Sequence, residues 1–195
     1  MPVKESVTEE SGFRMKPDSL IRSERRGLPT ETARHLGQLH LTAAGDHLHH
    51  FARVVELLLR AAMSAPSGKD QRPWEFVVVN ERPILDSLAA ALPYAKMLAQ
   101  APCAVIVCGS PARSSYWYLD CSAAAENILL AAHSLGLGGV WTAAYPYAER
   151  MEAVRSNLAL PEGILPLCVI PIGYPAAVGE PKRKFDAGRI HYNGW

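Results

Sequence analysis

The run APSGKDQRPW at positions 65–74 carries a hydroxyl at Ser67, an uncovered backbone at Gly68, and then Lys69, Asp70, Gln71 and Arg72 in a row. It lies between a helix-period segment that stops at Pro66 and the apolar run Glu75, Phe76, Val77, Val78, Val79. A turn fixed at both ends by packed elements can aim its donors and acceptors at a ligand instead of losing them to solvent. On its own the segment also fits an ordinary helix-to-strand connection with a proline stop. A second group is Lys182, Arg183 and Lys184, which read by themselves are a solvated charged tail. Lys96 and Arg72 are cations that could face a ligand or simply the solvent, and Trp74, Trp117, Tyr145 and Tyr147 could wall a pocket or fill a core. Cys103, Cys108, Cys121 and Cys168 lack paired CxxC spacing, so they indicate neither a zinc site nor a disulfide framework and read as small buried hydrophobes in a reducing compartment. His47, His49 and His50 crowd together without carboxylates or cysteines at ligand spacing, which reads as an exposed polar bend and not a metal centre.

The elements that must hold these groups follow from periodicity. Residues 51–63 place Val54, Val55, Leu58 and Leu59 on one side of a helix, and 75–79 follow as a strand. Pro83 introduces a short helix over 84–92, and 94–100 form another helical turn. CAVIVC at 103–108, bounded by Pro102 and Gly109, reads as a fully buried strand. Residues 116–135 form the longest helical run, so apolar that it must be covered on most sides, in a core or between subunits. Glycines at 136, 138 and 139 end it. A strand over 140–144, a helix over 147–158 and a strand over 167–174 interrupted by Pro171 complete the pattern. Helices alternating with short strands predict a mixed α/β layer fold. Residues 1–50 show no clear period and are expected to form a loosely ordered arm, leaving 51–195 as the folded domain.

A chain of 195 residues can bury a real core, and a net charge of +1 gives no global attraction to nucleic acid or an anionic membrane. The N-terminal stretch lacks an apolar signal core and no segment has the apolar length of a membrane span, so the default expectation is a cytoplasmic protein without membrane or nucleic-acid partners.

The turn at 65–74 resembles the flavin-binding turn of the nitroreductase family, Pro-Ser-x-x-Asn-x-Gln-Pro-Trp. Pro66, Ser67, Pro73 and Trp74 match it, while Asp70 stands for Asn and Arg72 for Gln. The run from Asp120 to Ala132, the following Gly136-Leu137-Gly138-Gly139-Val140-Trp141, the stretch Ile170-Pro171-Ile172-Gly173-Tyr174-Pro175 and the basic Lys182-Arg183-Lys184-Phe185 continue the resemblance in order. What it implies is an α+β fold with a central sheet wrapped by helices. It also implies a homodimer holding flavin mononucleotide (FMN) at two sites in the subunit interface, with the helix over 116–135 as the dimer core.

Carried over residue by residue, the resemblance assigns Pro66, Ser67 and Asp70 to the turn that reaches the partner's flavin. Ala143 and Ala144 fall where main-chain N–H groups face the flavin N5 and O4 edge, and Lys182 and Lys184 match the pair that neutralises the FMN phosphate. Arg22-Ser23-Glu24-Arg25 is what remains of an Arg-Arg-Ser-x-Arg phosphate motif, with Ile21 in the first arginine position; it puts Arg22, Ser23 and Arg25 on the phosphate and ribityl oxygens. Losing one bidentate phosphate contact costs roughly 1.5 to 3 kcal/mol. The implied activity is an FMN-dependent transfer of reducing equivalents from NADH or NADPH to a nitroaromatic, quinone or similar planar acceptor, with ping-pong kinetics. The alternatives are a dehalogenase-like or flavin-destructase-like member of the same fold, and a flavin-binding or dimerisation module without turnover.

Overall fold

The computed structural model describes residues 44–177 and 182–195, and side chains from residue 50 onward. Among these are four α-helices: α1 (Ala44–Met63), α2 (Arg82–Ala91), α3 (Trp117–Ser134) and α4 (Ala148–Leu158). The strands are β1 (Trp74–Val79), β2 (Cys103–Gly109), β3 (Gly138–Gly139), β4 (Thr142–Ala143) and β5 (Leu165–Gly173). Every pairing is antiparallel; the sheet runs β1-β2-β5-β3, and β4 also pairs with β5.

β2 is buried along its whole length, and its alternation divides the core in two. Cys103, Val105 and Val107 point into a cluster with Val54, Leu58 and Ala62 of α1 and Cys121, Ala124, Ala125 and Ile128 of α3. Ala104, Ile106 and Cys108 point into a second cluster with Leu85 and Leu88 of α2 and Val154 of α4. The architecture is therefore three layers, α1 and α3 on one face of the sheet and α2 and α4 on the other, which is the α+β sheet wrapped by helices that the sequence implies.

Three local expectations are corrected. The first helix begins at Ala44, not near residue 51, so the backbone of His47, His49 and His50 lies in its first turns and not in a bend; short-range polarity hid a helix whose apolar period becomes clear only later. Of the expected strand over 140–144 only Thr142 and Ala143 pair, as β4; Val140 and Trp141 do not, and the short strand β3 falls before it, on Gly138–Gly139 of the glycine run. Pro171 does not interrupt the last strand, which runs unbroken from Leu165 to Gly173 with Pro171 opposite Ala104. On its other flank β3 pairs with Gly173 and Ile172 and β4 with Val169 and Cys168. Pro171 thus falls beside the gap, where no partner strand calls for its missing N–H.

α3 ends as its glycines foretold. Gly136 has φ +73, its N–H donates to the His133 carbonyl at 3.0 Å, and the Leu137 N–H reaches back to the Ala132 carbonyl at 2.8 Å, a Schellman closure. Asn127 ties α3 to α1 by donating from Nδ2 to the Ala61 carbonyl at 2.9 Å.

No helix among the described residues is long and apolar enough to cross a membrane. The expectations for Arg22, Ser23 and Arg25, and for the arm up to residue 43, fall outside the described residues.

Candidate functional site

The turn after α1 is held under local tension. Lys69, Asp70 and Arg72 have φ of 54, 55 and 45, left-handed conformations that cost a residue with a Cβ roughly 1 kcal/mol or more each. Such a conformation persists only where its surroundings dictate it. Here the Ser67 Oγ accepts the Arg72 N–H at 3.1 Å, closing the loop on itself. The Gly68 N–H donates at 2.8 Å to Oδ1 of Asp120, in the first turn of α3. Asp120 is buried, and its Oδ2 accepts the Ser114 hydroxyl at 3.1 Å, while the Ser114 Oγ accepts the Tyr116 N–H at 3.1 Å. A buried carboxylate with both oxygens bonded is a strong anchor. Asp120 is a residue to which the sequence assigned no role of its own, only the first place in the run to Ala132 that resembles the family.

Asp70 and Arg72, the two departures from the family turn, meet each other: Arg72 donates from Nε and Nη2 to the two carboxylate oxygens at 2.7 and 2.6 Å. The Arg72 hydrogen bonds hold the Asp70 carboxyl below its usual range, and the same bonds raise the Arg72 guanidinium. Arg72 is therefore committed and does not serve as a free cation. Lys96 is committed too, its Nζ donating to the Ala89 carbonyl at 2.9 Å and the Ala90 carbonyl at 3.4 Å, at the C-terminal end of α2.

β4 supplies the second part of the site. The register between β2 and β5 shifts after Val107, so Cys108 faces Pro166 and Leu167 is an extra residue, a bulge of the kind that re-aims a strand end. The Leu167 carbonyl accepts both the Ala144 N–H at 2.9 Å and the Tyr145 N–H at 3.0 Å. Of the two alanines expected to face the flavin, Ala144 thus spends its donor inside the sheet and is buried. Because Ala144 donates across to β5, the antiparallel alternation turns the Ala143 N–H and carbonyl away from β5.

These two parts converge on the first turn of α3. Asp120 anchors the turn, and Trp117 and Tyr118 pack on Tyr145, just past β4, with ring centroids 5.0 and 5.8 Å apart. Gly109 makes the convergence possible. A Cβ there would stand 2.7 Å from the Cys121 Sγ and 2.8 Å from Cε3 of Trp117. Trp74 and Trp117 are core residues, whereas Tyr147 is exposed.

Lys182 and Lys184 are exposed on the segment after residue 181, and neither takes part in an ion pair among the described residues. No hydrogen bond among the described residues joins them to the turn or to β4. The four cysteines are free and buried; burial pushes the thiols of Cys103, Cys108 and Cys121 up to about 12 and that of Cys168 well above its ordinary value, so none is poised as a nucleophile. Among the described residues no group of three potential ligands could hold a metal ion.

The chain is similar to known proteins in sequence and in fold. The profile of the Nitroreductase family matches residues 82–174. A protein of Methanothermobacter thermautotrophicus, provisionally named NADH dehydrogenase/NAD(P)H nitroreductase, is 45% identical over 145 residues, which are 73% of this chain and 76% of the relative. A crystal structure from Bacteroides thetaiotaomicron with the same provisional name is 70% identical, with a TM-score of 0.72, covering 73% of this chain and 85% of the other. An FMN-dependent nitroreductase from Clostridium difficile is 29% identical with a TM-score of 0.70, covering 73% and 88%.

Proposed function

The chain belongs to the nitroreductase family, and on that premise we propose that it is an FMN-dependent oxidoreductase passing reducing equivalents from NADH or NADPH to a nitroaromatic, quinone or similar planar acceptor. The observation that carries this reading is the Ala143 main chain, turned out of the sheet at the bulge beside the anchored turn. An outward N–H on a rigid strand suits a flat heterocycle with acceptor atoms on its edge. The residues present fit FMN: an amide donor at Ala143, the Ser67 hydroxyl in a turn fixed by Asp120, and exposed Lys182 and Lys184 for a phosphate.

Bound FMN would supply the two-electron chemistry, accepting hydride from the nicotinamide and yielding it to the acceptor. The protein positions. Ala143 would orient the ring edge through its N–H, Ser67 and the paired Asp70 would border it from a partner chain, and Lys182 and Lys184 would hold the phosphate. Arg22, Ser23 and Arg25 complete the phosphate site in this reading. One binding face used in turn by two substrates gives ping-pong kinetics.

A homodimer accompanies the proposal. α3 leaves Leu119, Leu130 and Tyr118 exposed, and the C-terminal segment exposes Phe185, Tyr192 and Trp195. Large apolar side chains in such number call for a covering surface, and a second copy provides it.

The test is the visible spectrum of the purified protein. A yellow preparation, or stoichiometric uptake of added FMN with NAD(P)H oxidation and a dimeric mass, is expected. A colourless protein that refuses FMN would remove the proposal, and bound FMN without NAD(P)H oxidation would leave only a flavin-binding module.

A further inference from the structure

Arg150 occupies a position that a merely structural cation would avoid. It lies in the first turn of α4, where the helix dipole disfavours positive charge. No carboxylate pairs with it among the described ion pairs. Its Nε is buried without a hydrogen-bond partner. The guanidinium is held instead by aromatic faces, 3.8 Å from the centroid of the Tyr147 ring and 5.2 Å from that of Tyr94, both of which are exposed rings. Its Nη1 donates to the Ala143 carbonyl over a long 3.5 Å.

That last contact fixes where the charge stands. The Ala143 carbonyl and N–H both point away from β5, so the guanidinium is at the strand edge that the proposed function uses, between two aromatic rings and short of its full set of acceptors. A guanidinium carries five donors, stays charged throughout the working pH range and matches a carboxylate as a fork. Stacking on Tyr147 immobilises it beforehand, so little ordering remains to be done when an anion arrives.

We propose that Arg150 recognises an acidic group on the electron acceptor, so that the enzyme prefers planar aromatic acceptors bearing a carboxylate to neutral ones of the same shape. This rests on the function proposed above. Arg150 is an acceptor-binding residue here, held in place by the rings of Tyr147 and Tyr94.

The experiment titrates the flavin-loaded full-length protein with benzoate and with benzamide, near-isosteres that differ in charge, and follows binding by calorimetry. Wild type is expected to bind benzoate about 10-fold more tightly than benzamide. Arg150→Met is expected to erase that preference by lowering benzoate affinity about 10-fold, to the level of benzamide. Arg150→Lys, which keeps the charge and loses the fork, is expected to fall between and serves if the Met variant does not fold. A wild type that binds both ligands alike, or an Arg150→Met or Arg150→Lys variant that weakens both equally, overturns the proposal and leaves the flavin chemistry intact. A protein without flavin fails the earlier reading and takes this one with it.

Discussion

Asp70 and Arg72 neutralise each other through two hydrogen bonds of 2.7 and 2.6 Å, so the two departures from the family turn act as one unit. Where the family sets two amides, this chain sets an ion pair that can span the same loop. Both side chains are exposed, and the pair adds little to folding; its value lies in the shape of the turn. Asp70→Ala is expected to raise the FMN dissociation constant about 3- to 10-fold with little movement in melting temperature. The Arg72 bonds depress the Asp70 carboxyl, so the pair is intact above the ordinary carboxylate value of about 4 and opens as pH falls through the lower folded value. Flavin fluorescence on acid titration checks this; release already near pH 6 would count against it.

Asp120 holds the turn to α3 from a buried position. Replacing it by Ala strands the Gly68 N–H and the Ser114 hydroxyl, at a cost of about 1–3 kcal/mol for each group left unsatisfied. Asp120→Ala is expected to lower the urea midpoint and weaken FMN binding more than Asp70→Ala does. Equal effects of the two variants on FMN would show that the anchor does not transmit to the site.

Gly109 lets α3 approach β2. With a Cβ meeting Cys121 and Trp117 below 3 Å, Gly109→Ala is an overpacking change worth about 1–3 kcal/mol of destabilisation. Gly109→Ala combined with Cys121→Ala removes the Sγ contact and should recover part of the loss in a denaturation series.

Buried thiols give the chain an alkaline signature. The folded protein keeps the protons of Cys103, Cys108 and Cys121 up to about 12, whereas an unfolded chain releases them from about 8.5 upward. Stability is unaffected below that lower value and declines as pH rises toward 12. At pH 8 an aromatic disulfide reagent is expected to titrate none of the four thiols in the native protein and all four after denaturation. Rapid labelling of the native form would contradict their burial.

Lys182→Ala and Lys184→Ala are each expected to weaken FMN about 10-fold and to leave riboflavin binding unchanged, since riboflavin lacks the phosphate. Parallel losses for both ligands would mean that the lysines act on the fold of the tail and not on an anion.

Much of this was legible in residue order. Period and punctuation found α2, α3, α4 and β2 close to their bounds, because each is a long local pattern closed by Pro or Gly. The start of α1 was hidden by polar residues, and the pairing of Gly138 and Gly139 as β3, the shortness of β4 and the continuity of β5 through Pro171 depend on which strands lie alongside, which no local pattern encodes. At the site, the turn was recognisable from Pro66, Ser67, Pro73 and Trp74. The anchoring role of Asp120 was not, since its partners lie 52 residues back at Gly68 and across a bend at Ser114. Arg150 was equally silent: only the folded chain brings Tyr94 and Ala143 to it. A carboxylate in the first turn of an otherwise apolar helix was the available signal for Asp120.

β5 touches β2, β3 and β4, yet among the described strands it is the last in chain order. Until residue 173 has left the ribosome, β3 and β4 have nothing to pair with, and the nascent chain holds only the β1-β2 ribbon with its helices. Closure of so distant a pairing is slow, and the half-built sheet exposes the edge of β2 in the meantime. Birth of a competent catalyst therefore waits on this one strand, and chaperones that shield apolar edges would meet this polypeptide chiefly in that interval.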